Sequence, residues 1–316
     1  MNFQKILFLL VSLLAGVWGC KNNSTTSPNA NHPIDFVVGQ FGSGFDDLNA
    51  PIGLCVDAAD NIYVADFGND RIKQYNSNGI CLMTWSSGAV SATNVQDAIH
   101  EPWGMAIDSG GNIYEVDHSA SQIQEFSTAG GLLNQWGSAG TANGSFTNPL
   151  WIAVSPGGGI YVSESDANFS KVQLFTSPGV FGGLLGTEGG NALGDYKTPV
   201  GLAFDAAGNA YVGDLGNRRI DVYDSTGPPG APVTTWGAGQ FSSIGAMAFD
   251  HSGNLLAVDN GGGARAILKF NSNGNLIEKW IPDTVATPMD VAVDSTGAVW
   301  VTFQATNVAF LTKFAH

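Results

Sequence analysis

Basic residues are scarce in this chain. Lys and Arg total 12 against 27 Asp and Glu, a formal net charge of −15 over 316 residues. A nucleic-acid surface needs clustered Lys and Arg to neutralise phosphates, so no nucleic-acid partner is expected. Cysteine is nearly absent: Cys20, Cys55 and Cys81 are the full set, too few for a disulfide-built scaffold. Histidine is as sparse, with His32, His100, His118, His251 and His316. No phosphate-binding glycine loop, Gly-x-Ser-x-Gly turn or calcium loop occurs. The one long apolar run, residues 6–17, is too short to read as a membrane span. Glycine is what the chain has in excess, 42 residues in all, roughly twice the usual share.

The glycines mark turns in a repeated unit. Residues 199–223 read P-V-G-L-A-F-D-A-A-G-N-A-Y-V-G-D-L-G-N-R-R-I-D-V-Y, three short strands separated by two tight turns. Similar units start at Pro51, Pro102, Pro149, Ile244 and Pro288. The spacing of roughly 44–51 residues is that of four-stranded propeller blades. A fourth strand ends in Trp85, Trp136, Trp236 and Trp280. The sixth unit ends without a fourth strand. Residues 34–41, I-D-F-V-V-G-Q-F, are expected to supply it and close the ring.

Asp66, Asn69, Arg71 and Ile72 in the first unit, and Asp214, Asn217, Arg219 and Ile220 in the fourth, complete a pattern that resembles the NHL-repeat family. The resemblance spans residues 34–316 and implies an all-β, six-bladed β-propeller closed by its N-terminal strand. It implies little about function, since one fold hosts many activities. The recurring acids have structural duties: Asp57, Asp108, Asp205, Asp250 and Asp294 open hairpins, while Asp66, Asp117, Asp214 and Asp259 cap the following turn. Cys55 and Cys81 fall on the first and fourth strands of one blade, three strand spacings apart, and are expected to be unpaired and buried.

Residues 1–19 read as a signal peptide, with Lys5 before the apolar run and Gly19 before Cys20. The pattern resembles a bacterial lipoprotein signal, with Cys20 as the lipidated residue and residues 20–33 as a flexible tether. The expected location is the cell envelope, facing the periplasm or the cell exterior, with the membrane met only through the lipid anchor. A monomer is expected.

Two features point to a ligand site on the propeller face that carries the loops before the first strands, here called the top. The loops at 86–101, 137–148 and 187–198 are long, and the turn at 164–170 is expanded. Trp151 and Asp290 stand where sibling units have Gly53, Gly104 and Gly201, and Trp103 precedes Gly104. Trp103, Trp151, His100, Glu101 and Asp290 are the expected ligand-binding residues, suited to a peptide, protein or glycan. The enzymatic alternative is a propeller lyase or hydrolase with an acid/base or metal-assisted channel site. The lyases that this fold resembles bind zinc through several histidines. Only His100 and His118 can meet here, a weak metal pair, so no cofactor and no catalytic residue is assigned.

Overall fold

A computed structural model describes residues 32–86, 99–166, 170–188, 192–225, 232–261, 265–282 and 286–315. The signal peptide, Cys20 and most of the tether lie outside the described residues, as do residues 87–98 of the first long loop.

Each unit forms one antiparallel four-stranded sheet. Blade one is Pro51–Val56, Ile62–Asp66, Arg71–Tyr75 and Cys81–Ser86, and blade two is Pro102–Ile107, Ile113–Asp117, Gln122–Phe126 and Leu132–Trp136. Blade three is Pro149–Val154, Ile160–Glu164, Lys171–Ser177 and Val180–Leu185; blade four is Pro199–Phe204, Ala210–Asp214, Arg219–Tyr223 and Thr234–Trp236. Blade five is Ile244–Phe249, Leu255–Asp259, Ala266–Phe270 and Leu276–Trp280. Blade six takes Thr287–Val293, Val299–Ala305 and Val308–Phe314 from the C-terminus and Ile34–Val38 from the N-terminus. Ile34 lies opposite Phe314 and Val38 opposite Leu311, antiparallel. The ring is a six-bladed propeller, and its last blade is closed as the sequence implies.

The hairpins explain the recurring acids. Asp57 Oδ1 accepts the N–H groups of Ala59 and Asn61, and Oδ2 accepts from Asn61 Nδ2 and the Tyr63 hydroxyl. Asp108 and Asp205 repeat all four bonds at their own hairpins. The second set of acids reaches backwards as well as capping a turn. Asp66, Asp117, Glu164, Asp214 and Asp259 each accept a backbone N–H from the loop before their own blade, at Asn49, His100, Thr147, Thr198 and Ser243 respectively.

Blades pack face to face around the axis. Trp85, Trp136, Trp236 and Trp280 are buried in the wedges. Near the axis the first strands come so close that side chains are excluded. A Cβ at Gly53 would lie 2.2 Å from the Trp103 carbonyl oxygen, and one at Gly201 would lie 2.2 Å from that of Gly245. Only glycine permits that approach of two backbones.

Three details differ from the sequence reading. Cys55 and Cys81 are both free, but only Cys55 is buried; Cys81, on the outermost strand, is partly exposed. His32 is packed: its ring stacks on Trp280 at 4.2 Å, and Nε2 lies 2.7 Å from Glu278 Oε1. The described residues of the loops at 137–148 and 187–198 are largely structural. Ala139 bridges Phe146, Thr187 pairs with Asp195, and Phe146 and Tyr196 are fully buried. Gln173 and Lys171 hold the 137–148 loop by bonds to Gly144 N–H and to the Ser145 and Thr141 carbonyls. Both loops are anchored between blades.

Candidate functional site

The first strands begin at the top face and the second strands end there. The residue after each second strand therefore lies beside the channel mouth. Around the ring these positions are Phe67, His118, Ser165, Leu215 and Asn260, with Gln304, inside the longer second strand of blade six, at the matching place in the repeat. Just inside them the second residue of each repeat is Ile52, Trp103, Leu150, Val200, Gly245 or Met289. Both rings are lopsided: the aromatic members, Phe67, Trp103 and His118, all belong to blades one and two.

Trp151 does not project over the mouth. It is 7% exposed and belongs to one buried cluster with Ile52 of blade one, Ala246 of blade five and Val291 of blade six. None of those blades neighbours blade three, so the indole crosses the axis and plugs the channel. Its expected role as an exposed stacking surface is therefore corrected: the ring fills the space that glycine leaves in sibling blades. Phe67, Trp103, Leu150 and Met289, at or beside the mouth positions, pack against the cluster that holds this plug and stay partly exposed; together they are called the apolar floor.

Asp290 is corrected as well. It is 4% exposed, with Oδ2 accepting Leu54 N–H at 2.7 Å and Oδ1 accepting its neighbour Val291 N–H. Thr302 beside it donates to the Ile52 carbonyl at 2.6 Å. These bonds join the last blade to the first, so Asp290 is a clasp at the closing seam. Burial without a cation pushes its carboxyl up to about 7.

Trp103 and His118 do meet. Their ring centroids are 4.8 Å apart, and Phe67 stands edge-on to Trp103 at 5.5 Å and 87°. His118 Nδ1 lies 2.9 Å from the Pro149 carbonyl oxygen. A carbonyl only accepts, so Nδ1 carries a proton and its bond fixes the ring, leaving Nε2 as the second ring nitrogen. Ser165 makes the equivalent bridge in the next blade, donating to the Pro199 carbonyl at 2.8 Å. His100 and Glu101 stand exposed at the rim, and Glu101 N–H donates to Asp70 Oδ1 at 2.8 Å. His100 meets Asp117 through its backbone N–H, at 3.3 Å. Among the described residues no three His, Cys, Asp or Glu side chains converge as a metal-ligand group.

The sequence reading missed Phe67, Met289 and Gln304. A signal existed for Phe67: the residue after the acid that ends the second strand is the ring position, and it varies where the acid does not; Gln304 follows Phe303 rather than an acid.

An NHL-repeat profile matches residues 48–75. Human NHL-repeat-containing protein 4 is 33% identical over 111 residues, covering 35% of this chain and 82% of that protein. Human NHL repeat-containing protein 3 is 24% identical over 202 residues, covering 61% of this chain. The match spans about half of that protein's length, 54%. Among solved structures, a streptogramin B lyase superposes with a TM-score of 0.62 at 14% identity, covering 89% of this chain and 96% of the other. A gluconolactonase from Xanthomonas campestris superposes with a TM-score of 0.62 at 15% identity, covering 93% and 99%. At such identities the structural likeness speaks for the fold alone.

Proposed function

Because the chain belongs to the NHL-repeat family and folds as its six-bladed propeller, we propose that it is a non-enzymatic binding module of the cell envelope. It is tethered through a lipidated Cys20 and takes a peptide, protein or glycan on its top face. The observation that supports this is the floor of Phe67, Trp103, Leu150 and Met289. Partly exposed apolar side chains gathered at a channel mouth and rimmed by polar groups suit a contact surface.

The test uses tryptophan fluorescence titrated with short peptides and oligosaccharides. Phe67→Asp should abolish the response, and His251→Ala on the opposite face should leave it unchanged. A response indifferent to Phe67→Asp overturns the reading.

One observation favours a second reading. The fixed His118 ring presents its second nitrogen beside an aromatic wall, which suits a general base, and lyase and lactonase propellers share the fold. Turnover of a gluconolactone or a streptogramin B that is lost in His118→Gln would establish that alternative.

A further inference from the structure

The rim beside the aromatic floor is acidic. Asp70 and Glu101 are both exposed there, bridged by the Glu101 N–H bond to Asp70 Oδ1. Asp70 is close enough to help raise the neighbouring Asp117, whose carboxyl stands at about 6 chiefly through burial. Immediately inside, Phe67 and Trp103 make two walls at 87°, and His118 adds a third ring 4.8 Å from Trp103. The six ring positions at the mouth include no Lys or Arg. The exposed top-face cations Lys197 and Arg218 belong to blade four, across the ring. Arg71 is turned away, with Nε on Asp66 and its other nitrogens on the carbonyls of Ser43, Gly44 and Asp47.

Aromatic faces attract a cation through their quadrupole, and carboxylates at the rim add a Coulomb term of the same sign. An anionic partner would meet two carboxylates and no compensating charge. A neutral apolar partner would use the floor but leave the rim without a role. The net charge of −15 carries the preference to long range.

We propose that the corner formed by Phe67, Trp103 and His118, with Asp70 and Glu101 at its rim, is the recognition site for a lysine or arginine side chain of a peptide partner. This rests on the top-face binding reading and narrows it from three ligand classes to one. The chain of contacts would be ordered: steering by the whole acidic molecule, capture by Asp70 and Glu101, then seating of the cation against the rings.

The probe is the capped tripeptide acetyl-Ala-Lys-Ala-amide, with its norleucine counterpart as a neutral analogue of similar length. Both are titrated calorimetrically into the full-length protein at low and high salt. The expected result is binding of the lysine peptide at least 10-fold tighter than the norleucine one, with the gap narrowing in high salt. Asp70→Asn with Glu101→Gln, both exposed and able to keep the fold, should weaken the lysine peptide several-fold and flatten its salt dependence. Phe67→Leu should weaken it while leaving the melting temperature within a few degrees. Equal affinity for the two peptides, with both lost in Phe67→Asp, overturns the cationic preference and leaves top-face binding standing. Lysine-peptide affinity unchanged by both the rim and the Phe67 variants overturns both readings. No heat with the lysine peptide up to millimolar concentration overturns the proposal.

Discussion

Two side chains that break the repeat, Trp151 and Asp290, are structural, and a third, Glu115, is an unsatisfied one. Trp151→Ala should empty the plug and cost about 3–5 kcal/mol, seen as a large fall in melting temperature rather than a selective loss of binding. Glu115 replaces the valine found at Val64, Val162, Val212 and Val301; it is fully buried, and neither carboxyl oxygen has a partner. Burial, with Asp117 nearby, pushes its carboxyl well up. Glu115→Met keeps most of the volume and removes the orphan group, and should stabilise the fold by about 1–3 kcal/mol in urea unfolding. Asp290 adds a pH dependence. Its carboxyl moves from an ordinary 3.8 to about 7 on folding. Between those values the folded chain holds a proton that the unfolded chain has released. Stability from this group is therefore full below 3.8 and is lost as pH rises through about 7. Asp221, raised to about 6 mainly by burial, acts in the same direction. Asp294 acts oppositely: burial opposes the shift, but bonds from Thr296, Trp300 and Lys313 hold its carboxyl down, so its contribution fades only in acid. Unfolding free energy should fall between pH 5 and pH 8, and Asp290→Asn should flatten the upper part of that decline. An identical slope in wild type and variant would exclude Asp290 as its source.

Among elements, the N-terminal strand carries most consequence for its length. Ile34–Val38 pairs along the last strand, and the Pro33 carbonyl accepts Ala315 N–H at 2.9 Å. Removing residues 34–41 strips the edge of blade six and uncovers the core where the apolar side chains of Ile34, Phe36 and Val38 pack, each worth roughly 1.5–3 kcal/mol if fully buried. Against a net stability of about 5–15 kcal/mol, the product should aggregate, as measured by soluble yield and melting temperature. Removing residues 21–31 should change neither quantity. Equal melting temperatures for the two deletions would show that the ring does not depend on this strand. The loops before the blades are the second informative element. Leu48, Phe146 and Tyr196 are fully buried and Phe241 nearly so, each three residues before the start of its repeat. Each loop folds back to deliver that anchor, the short one before blade five included.

For the molecule as a whole, attachment is the open proposal. One acyl chain binds a membrane marginally, and stable anchoring takes two or more. Cys20→Ala should therefore move the protein from the membrane fraction to the soluble one. Unchanged fractionation would overturn the lipoprotein reading. An acidic, membrane-tethered propeller would present its top face to a partner by tether motion, and the cationic preference of that face would set which partners stay.

The sequence by itself determined the propeller, its six blades and the closing strand. Repetition did this: six copies of a strand-turn-strand phrase agree, and a blade cannot bury both faces without its neighbours. It also determined the hairpin acids, because a carboxylate followed by a tight turn has few other bonding choices. What departs from the repeat was visible at Trp151, Asp290 and Trp103, but the direction of each side chain was not. Trp151 and Asp290 lie on inner strands whose backbones nearly touch, so one turns across the axis and the other across a seam. Trp103 sits one position earlier, at the mouth, and stays partly exposed. Phe67 and Met289 lie far apart in the chain and share a surface only once the ring is closed. Closure is a long-range event: the pairing of Ile34–Val38 with Val308–Phe314 and the bonds of Asp290 to Leu54 and Thr302 to Ile52 bring residues of blades six and one to the same mouth. The apolar floor was therefore decided by the tertiary structure.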